Sequence, residues 1–148
     1  MANFTFRALI DAPIDTVFDV LTDHRGYADF TPLRSVSLER EGEPSPNGVG
    51  AIRVLRLLGP PLREEVTEYV RPSRFAYRLL SGAPVRDHVG TVDLRQEASG
   101  TRIVYELQTF PTVPGPLSPA VAVLARLTVG QLFNGIRKRS EQLAAGGG

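Results

Sequence analysis

The sequence predicts an α+β fold: seven strands in one curved antiparallel sheet, two short helices after the first strand, and a long C-terminal helix packed over the sheet. Three features carry that expectation. Strand-length segments alternate apolar and polar residues, the connections between them are a few residues long, and residues 119–143 repeat apolar side chains at helical spacing.

The first strand covers residues 3–11, where Phe4, Phe6, Ala8 and Ile10 alternate with Thr5, Arg7 and Leu9. Asp11-Ala12-Pro13 ends it, and Pro13 suits a helix start because its missing N–H has no intrahelical partner to lose there. Ile14, Val17, Phe18 and Leu21 then form one apolar stripe, with Asp15 and Asp19 near the positive end of the helix, which ends near Thr22. Residues 24–33, with Gly26, Tyr27, Phe30 and Pro32, form a second short helical turn. Six further strands follow at residues 35–41, 49–58, 62–70, 75–80, 85–96 and 101–110, each bounded by Gly, Pro, Ser or Asn. Their connections are too short for a parallel crossover, which takes about a dozen residues, so the strands form an antiparallel meander. A proline-rich stretch at 111–119 leads into the final helix, with Val121, Leu124, Thr128, Leu132, Gly135 or Ile136, and Leu143 at helical spacing. Residues 1–145 read as a single domain and 146–148 as a frayed glycine tail.

A chain of 148 residues supports one core. With 42% hydrophobic and 22% charged residues, it is too apolar for disorder. The net charge of +1 leaves no surplus to attract phosphate backbones or anionic lipids, so nucleic acid is not an expected partner. All of the 17 basic residues except Lys138 are Arg, a bias that codon usage in a GC-rich genome produces without selection for bidentate contacts. The absence of cysteine removes disulfides, thiolate metal sites and cysteine nucleophiles, and fits a cytoplasmic location. The N-terminus lacks a basic start followed by an apolar stretch, and the most apolar run, residues 120–125, is too short to span a bilayer. Neither a signal sequence nor a transmembrane segment is expected.

Four blocks of sequence carry a resemblance. They are Ile10-Asp11-Ala12-Pro13-Ile14-Asp15-Thr16-Val17-Phe18-Asp19-Val20-Leu21-Thr22-Asp23, Glu65-Val66-Thr67-Glu68-Tyr69 with Pro72-Ser73-Arg74-Phe75-Ala76-Tyr77, Gly90-Thr91-Val92-Asp93-Leu94, and Gly100-Thr101-Arg102-Ile103-Val104-Tyr105. In this order they resemble the SRPBCC superfamily over nearly the whole chain. That superfamily has the helix-grip fold of START lipid-transfer domains, the birch-pollen allergen group and the polyketide cyclase/dehydrase proteins. Each block reads as a cap, a turn or a core position, so the likeness speaks for fold rather than chemistry. Phe30 and Tyr105 stand where relatives often have Trp. The resemblance implies a cavity between the inner face of the sheet and the long helix. Alternation supports one: His88, Gly90, Tyr77, Tyr105 and Thr109 share inward faces with Val92, Leu94, Phe75, Leu79, Ile103 and Leu107. A packed core tolerates such a mixture only where the polar tips meet partners, water or a ligand.

No metal or nucleotide cofactor is expected. His24 and His88 are far apart and in no ligand frame, and there is no Gly-x-Ser-x-Gly elbow or P-loop. The hexapeptide beginning at Gly48 fails the dinucleotide pattern because its sixth residue is Arg53 and it precedes a strand. His88 is the candidate catalytic residue, since an imidazole with a pKa of about 6.5 can act as acid or base inside a cavity; the bland reading is a hydrogen-bonded wall residue. Asp87 should face the opposite way. Arg53 and Arg56 lie on opposite faces of one strand. An inward guanidinium would hold a carboxylate, enolate or phenolate, while the reading the residues favour is a surface ion pair with Glu64, Glu65 or Glu68. Tyr69, Tyr77 and Tyr105 can donate hydrogen bonds, and Tyr77 and Tyr105 are expected to line the cavity. The long helix should turn Leu124, Thr128, Gln131, Leu132 and Gly135 toward the sheet, with Gly135 either leaving room or allowing close packing. Arg137, Lys138 and Arg139 are explained by the negative end of the helix. The expected ligand-binding set is therefore Arg53, Phe75, Tyr77, Leu79, His88, Gly90, Val92, Ile103, Tyr105 and Leu107, with those five helix residues.

The leading functional expectation is binding or transport of a small hydrophobic ligand such as a lipid, isoprenoid or polyketide-like aromatic, by a monomer or weak homodimer. The alternative is a cofactor-independent polyketide cyclase/aromatase in which His88, Arg53 or Tyr105 shuttles protons. Such an enzyme should gather several titratable groups in its cavity, and His88 is the candidate acid or base that the sequence places there. A third class, protein interaction, would be marked by an exposed apolar patch.

Overall fold

The computed structural model describes residues 2–29, 31, 33–57 and 59–146. Phe30, Pro32, Leu58, Gly147 and Gly148, which the sequence places in the second helical turn, a strand and the tail, lie outside the described residues. The chain begins with β1 (Ala2–Ile10), α1 (Ile14–Thr22) and a 3-10 segment (His24–Asp29). β2 (Ser35–Arg40), β3 (Ile52–Arg56), β4 (Leu62–Val70), β5 (Arg74–Ser81), β6 (Val85–Glu97) and β7 (Gly100–Pro111) follow, and α2 (Leu117–Gly146) ends the chain. The sheet has the order β1-β7-β6-β5-β4-β3-β2, with every pairing antiparallel. Short turns impose the meander from β2 to β7, and β1 adds along the free edge of β7.

The start of α1 is satisfied from a distance. Pro13 offers no side-chain cap, and the Ile14 N–H instead donates to Oε1 of Gln96 on β6 at 2.9 Å, which ties the helix to the sheet. The segment expected as a second helical turn is 3-10, with the Gly26 N–H donating to the Asp23 carbonyl three residues back at 3.1 Å. β3 is shorter than residues 49–58, because Val49 leaves the ladder to bridge Glu43.

α2 begins two residues before the expected start and continues to Gly146. Only part of the expected face is buried. Val129, Phe133, Gly135, Ile136 and Ser140 are buried, whereas Leu124 is 65% exposed. Residues 117–125 are apolar on all sides, so spacing alone could not choose a face there. The choice falls to the second half of the helix, which packs on β1, β7 and α1. Phe133 anchors it, with its ring 5.5 Å from Phe6 and 6.5 Å from Tyr105. By length and composition α2 is apolar enough to cross a bilayer, which the run 120–125 by itself did not reveal. Its second half is held in the core. A smaller cluster of Tyr27, Val36 and Leu55, joined by Leu33, Leu62 and Leu132, fastens the 3-10 segment over β2 and β3.

Candidate functional site

Because α1 and the second half of α2 cover β1, β7 and β6, the open space lies over β3, β4 and β5. A cavity of about 370 Å³ opens there. Leu55, Leu62, Leu79 and the first half of α2 make its walls apolar, while Arg53, Glu64, Tyr77 and His88 supply polar groups.

The polar floor follows from strand register. β3 and β4 pair Arg53 with Glu64 and Leu55 with Leu62, so period-two alternation turns both charges inward together with two leucines. Arg53 Nε and Nη2 each lie 2.8 Å from Glu64 Oε1, and Nη1 donates to the Tyr27 hydroxyl at 3.4 Å. The Arg53 guanidinium carbon sits 4.5 Å from the centre of the Tyr77 ring, and the Tyr27 and Phe75 rings lie farther out at 5.5 and 5.7 Å. Burial works against the guanidinium charge, but the Glu64 carboxylate and the surrounding tyrosines outweigh it and hold the Arg53 pKa above its ordinary value. The ion pair expected on the surface is thus made with one of the expected partners, Glu64, but inside the molecule. Glu65, the next residue, faces outward and pairs with Arg40 and Arg78.

The Tyr77 and Tyr105 hydroxyls lie 2.6 Å apart. Burial raises both phenol pKa values above the ordinary one, so both are neutral and one donates to the other. Gly90 stands opposite Tyr77 in the register of β5 and β6, and a Cβ there would overlap the Tyr77 ring. His88 is half-buried on the cavity wall, with Nδ1 3.0 Å from the buried Thr109 Oγ1. Burial keeps its pKa below the usual imidazole value, partly opposed by the Glu64 charge. A bulge between Arg86 and Val89 turns Asp87 outward, where it pairs with Arg86 at 3.0 Å.

Of the expected ligand-binding residues, Arg53, Tyr77, Leu79, His88, Leu124, Thr128, Gln131 and Leu132 line the cavity. Phe75, Val92, Ile103, Tyr105 and Leu107 lie in the packed core instead, Gly90 seats the Tyr77 ring, and Gly135 is buried on the core-facing side of α2. Alternation correctly turned the strand residues inward. Inward does not mean cavity-facing, because helices already fill the space over β6 and β7.

Of the polar residues around Arg53, Glu64, Tyr27 and His24 were not in the expected ligand-binding set. Glu64 carried a usable signal, since it shares a strand face with Leu62 and Val66. Tyr27, whose hydroxyl donates to the Leu21 carbonyl, and His24 carried none. His24 is fully buried against the Tyr27 and Phe75 rings, and neither ring nitrogen has a hydrogen-bond partner among the described residues. Burial, and secondly the Arg53 charge, hold its pKa well below the ordinary value. Among the described residues no three His, Asp or Glu side chains gather as a metal site would need.

A family model described as polyketide cyclase/dehydrase and lipid transport matches residues 1–145. A START superfamily protein from Mycobacterium smegmatis superposes with a TM-score of 0.79 at 16% identity, covering 95% of this chain and 98% of that one. A protein from Thermus thermophilus gives 0.74 at 22% identity, covering 94% and 97%. The Zhui aromatase/cyclase from Streptomyces sp. R1128 gives 0.72 at 19%, covering 97% and 93%. At these identities the likeness is one of fold. No curated protein sequence matches the chain.

Proposed function

Because the chain belongs to the polyketide cyclase/dehydrase and lipid transport family, on the helix-grip fold of the SRPBCC superfamily, we propose that it binds a small, largely apolar ligand in the cavity over β3 to β5. The observation that carries this reading is the pairing of apolar walls with a floor whose charge is already balanced. Arg53 is neutralised by Glu64, and both line the cavity. A ligand carboxylate would bring a second negative charge beside Glu64 in a weakly solvated place. A carbonyl instead accepts from an Arg53 N–H, and a hydroxyl can accept there or donate to Glu64. The polar end of the ligand is therefore neutral, as in an isoprenoid alcohol, a sterol-like lipid or a polyketide-derived aromatic, and not the carboxylate, enolate or phenolate that an unpaired arginine would favour. A cavity of about 370 Å³ falls within the range common for small-molecule sites.

Native mass spectrometry of the protein purified from its own host, followed by denaturing extraction, tests this reading. A stoichiometric neutral lipid or aromatic supports it. A protein that arrives empty and takes up no member of a panel of lipids and aromatics sinks it.

A second reading has its own observation. Arg53, Glu64, Tyr77 and His88 gather in the cavity, the convergence of titratable groups that such an enzyme requires. In that reading a neutral His88 removes a proton from a poly-β-ketone held by hydrogen bonds from Arg53 and Tyr77. Cyclisation of a poly-β-ketone mimic would be slowed at least about a hundredfold by His88→Ala with affinity retained. Absence of turnover by the wild-type protein would leave the binding role alone.

A further inference from the structure

Three segments around the cavity mouth contain no charged residue: 57 and 59–61 between β3 and β4, 79–85 between β5 and β6, and 111–125 from the end of β7 into α2. They form one continuous rim. The first two touch closely enough that a Cβ at Gly82, where φ is +110°, would overlap the Pro61 carbonyl. The second and third are joined by the Thr112 N–H, which donates to the Pro84 carbonyl at 2.9 Å. From this rim α2 projects Leu117, Val123, Leu124 and Leu127, which are 60, 54, 65 and 59% exposed. A helix wholly committed to a core hides its most apolar stretch, but only 22% of that stretch of α2 is buried.

Cations flank the rim. The Arg34 N–H donates to the Arg56 carbonyl at 2.7 Å, which sets the two residues side by side next to Leu57 of the cavity wall. On the other side of α2 the Arg126 guanidinium lies 5.8 Å from the centre of the Phe4 ring of β1. All three are exposed, and none has an acidic partner among the described residues. On the outer face of the sheet, by contrast, Arg63 and Arg74 are engaged by Glu39, Glu68 and Asp93.

We propose that this rim and the first half of α2 are a docking surface for an anionic lipid bilayer. The leucines and Val123 enter the boundary between headgroups and acyl chains, and Arg34, Arg56 and Arg126 reach the phosphates around them. The net charge of +1 does not oppose this, because attraction depends on how charge is distributed over one face. The arrangement also accounts for a helix that is apolar on both its cavity side and its outer side, since each side meets apolar matter. The second half of α2, fixed in the core, keeps the helix lying on the membrane rather than crossing it. Docking goes beyond the cavity reading and does not depend on what the cavity holds.

Vesicle flotation tests the proposal with the full chain. The protein should float with vesicles of phosphatidylcholine containing about 30 mol% phosphatidylglycerol, much less with phosphatidylcholine alone, and less in about 0.5 M salt. Leu127→Glu and Val123→Glu, both outside the cavity wall, should each lower the vesicle partition coefficient at least about tenfold while circular dichroism and thermal midpoint stay at wild-type values. Arg56→Glu should weaken binding to the anionic vesicles. Failure of the wild-type protein to float with either vesicle overturns the proposal, as does undiminished flotation of Leu127→Glu. A wild-type dimer that floats with neither vesicle and that Leu127→Glu converts to a monomer also overturns it, and assigns the face to a second copy of the chain.

Discussion

Arg53 and Glu64 face each other across β3 and β4, with Nε and Nη2 of the arginine both 2.8 Å from Oε1 of the glutamate, on the floor of a mostly apolar cavity. With the two side chains only 1% and 8% exposed, each ion is left without much water and depends on the other. Taking both from solvent is costly, so such a pair adds little net stability, yet removing one partner strands a buried charge.

Glu64→Gln is therefore expected to lower stability by about 3 kcal/mol, read from the urea midpoint at constant m-value. The double substitution Arg53→Met with Glu64→Leu should cost clearly less than the sum of its parts, because it leaves no charge behind. Strict additivity would show that the two charges do not rely on each other.

Gly90→Ala places a methyl group where the Tyr77 ring lies. The ring must move, which breaks its 2.6 Å hydrogen bond to Tyr105 and loosens its stacking under Arg53. Overpacking of this kind costs about 1–3 kcal/mol. In a Tyr77→Leu background the same change should cost little, and an equal cost in both backgrounds would refute the steric explanation.

His24 gives the protein a pH dependence of known sign. Burial, then Arg53, keep it neutral in the folded state well below its ordinary pKa, and burial shifts His88 in the same direction. In the unfolded chain both histidines protonate near pH 6.5. Below about pH 6.5 the unfolded state thus binds more protons than the folded one, so stability falls with acidification, by up to about 1.4 kcal/mol per pH unit for each histidine. The fall continues until the folded histidines protonate in turn. His24→Leu removes one of these groups together with two unpartnered buried nitrogens. It should be more stable than wild type by about 1 kcal/mol or more at pH 5, with a shallower decline from pH 7. An unchanged decline would exclude His24 as its source.

The balanced charge of the floor predicts ligand preference. A long-chain alcohol or methyl ketone should bind at least about tenfold more tightly than the carboxylic acid of equal length, measured by calorimetry at pH 7.5. In Glu64→Gln, where Arg53 loses its counter-ion, the acid should gain on the alcohol. Equal affinities for both ligands in the wild-type protein would mean that the ion pair opens to receive an anion.

The seven strands, the meander and the long final helix were legible in the sequence, because apolar periodicity and turn length are local properties written in a few consecutive residues. Alternation also turned Tyr77, Leu79 and His88 inward and left Asp87 outside. Only the tertiary structure decided which inward positions face open space. The second half of α2, anchored by Phe133, closes over Tyr105 and leaves the ground above Arg53 open. The register of β3 against β4 chose Glu64 over Glu65 and Glu68 as the partner of Arg53. The path of the 3-10 segment brought His24 and Tyr27 to the same cluster from nearly thirty residues away. Each of these outcomes depends on contacts between segments far apart in the chain, and a one-residue change in register or a small rotation of the helix would have reversed them without altering any local pattern.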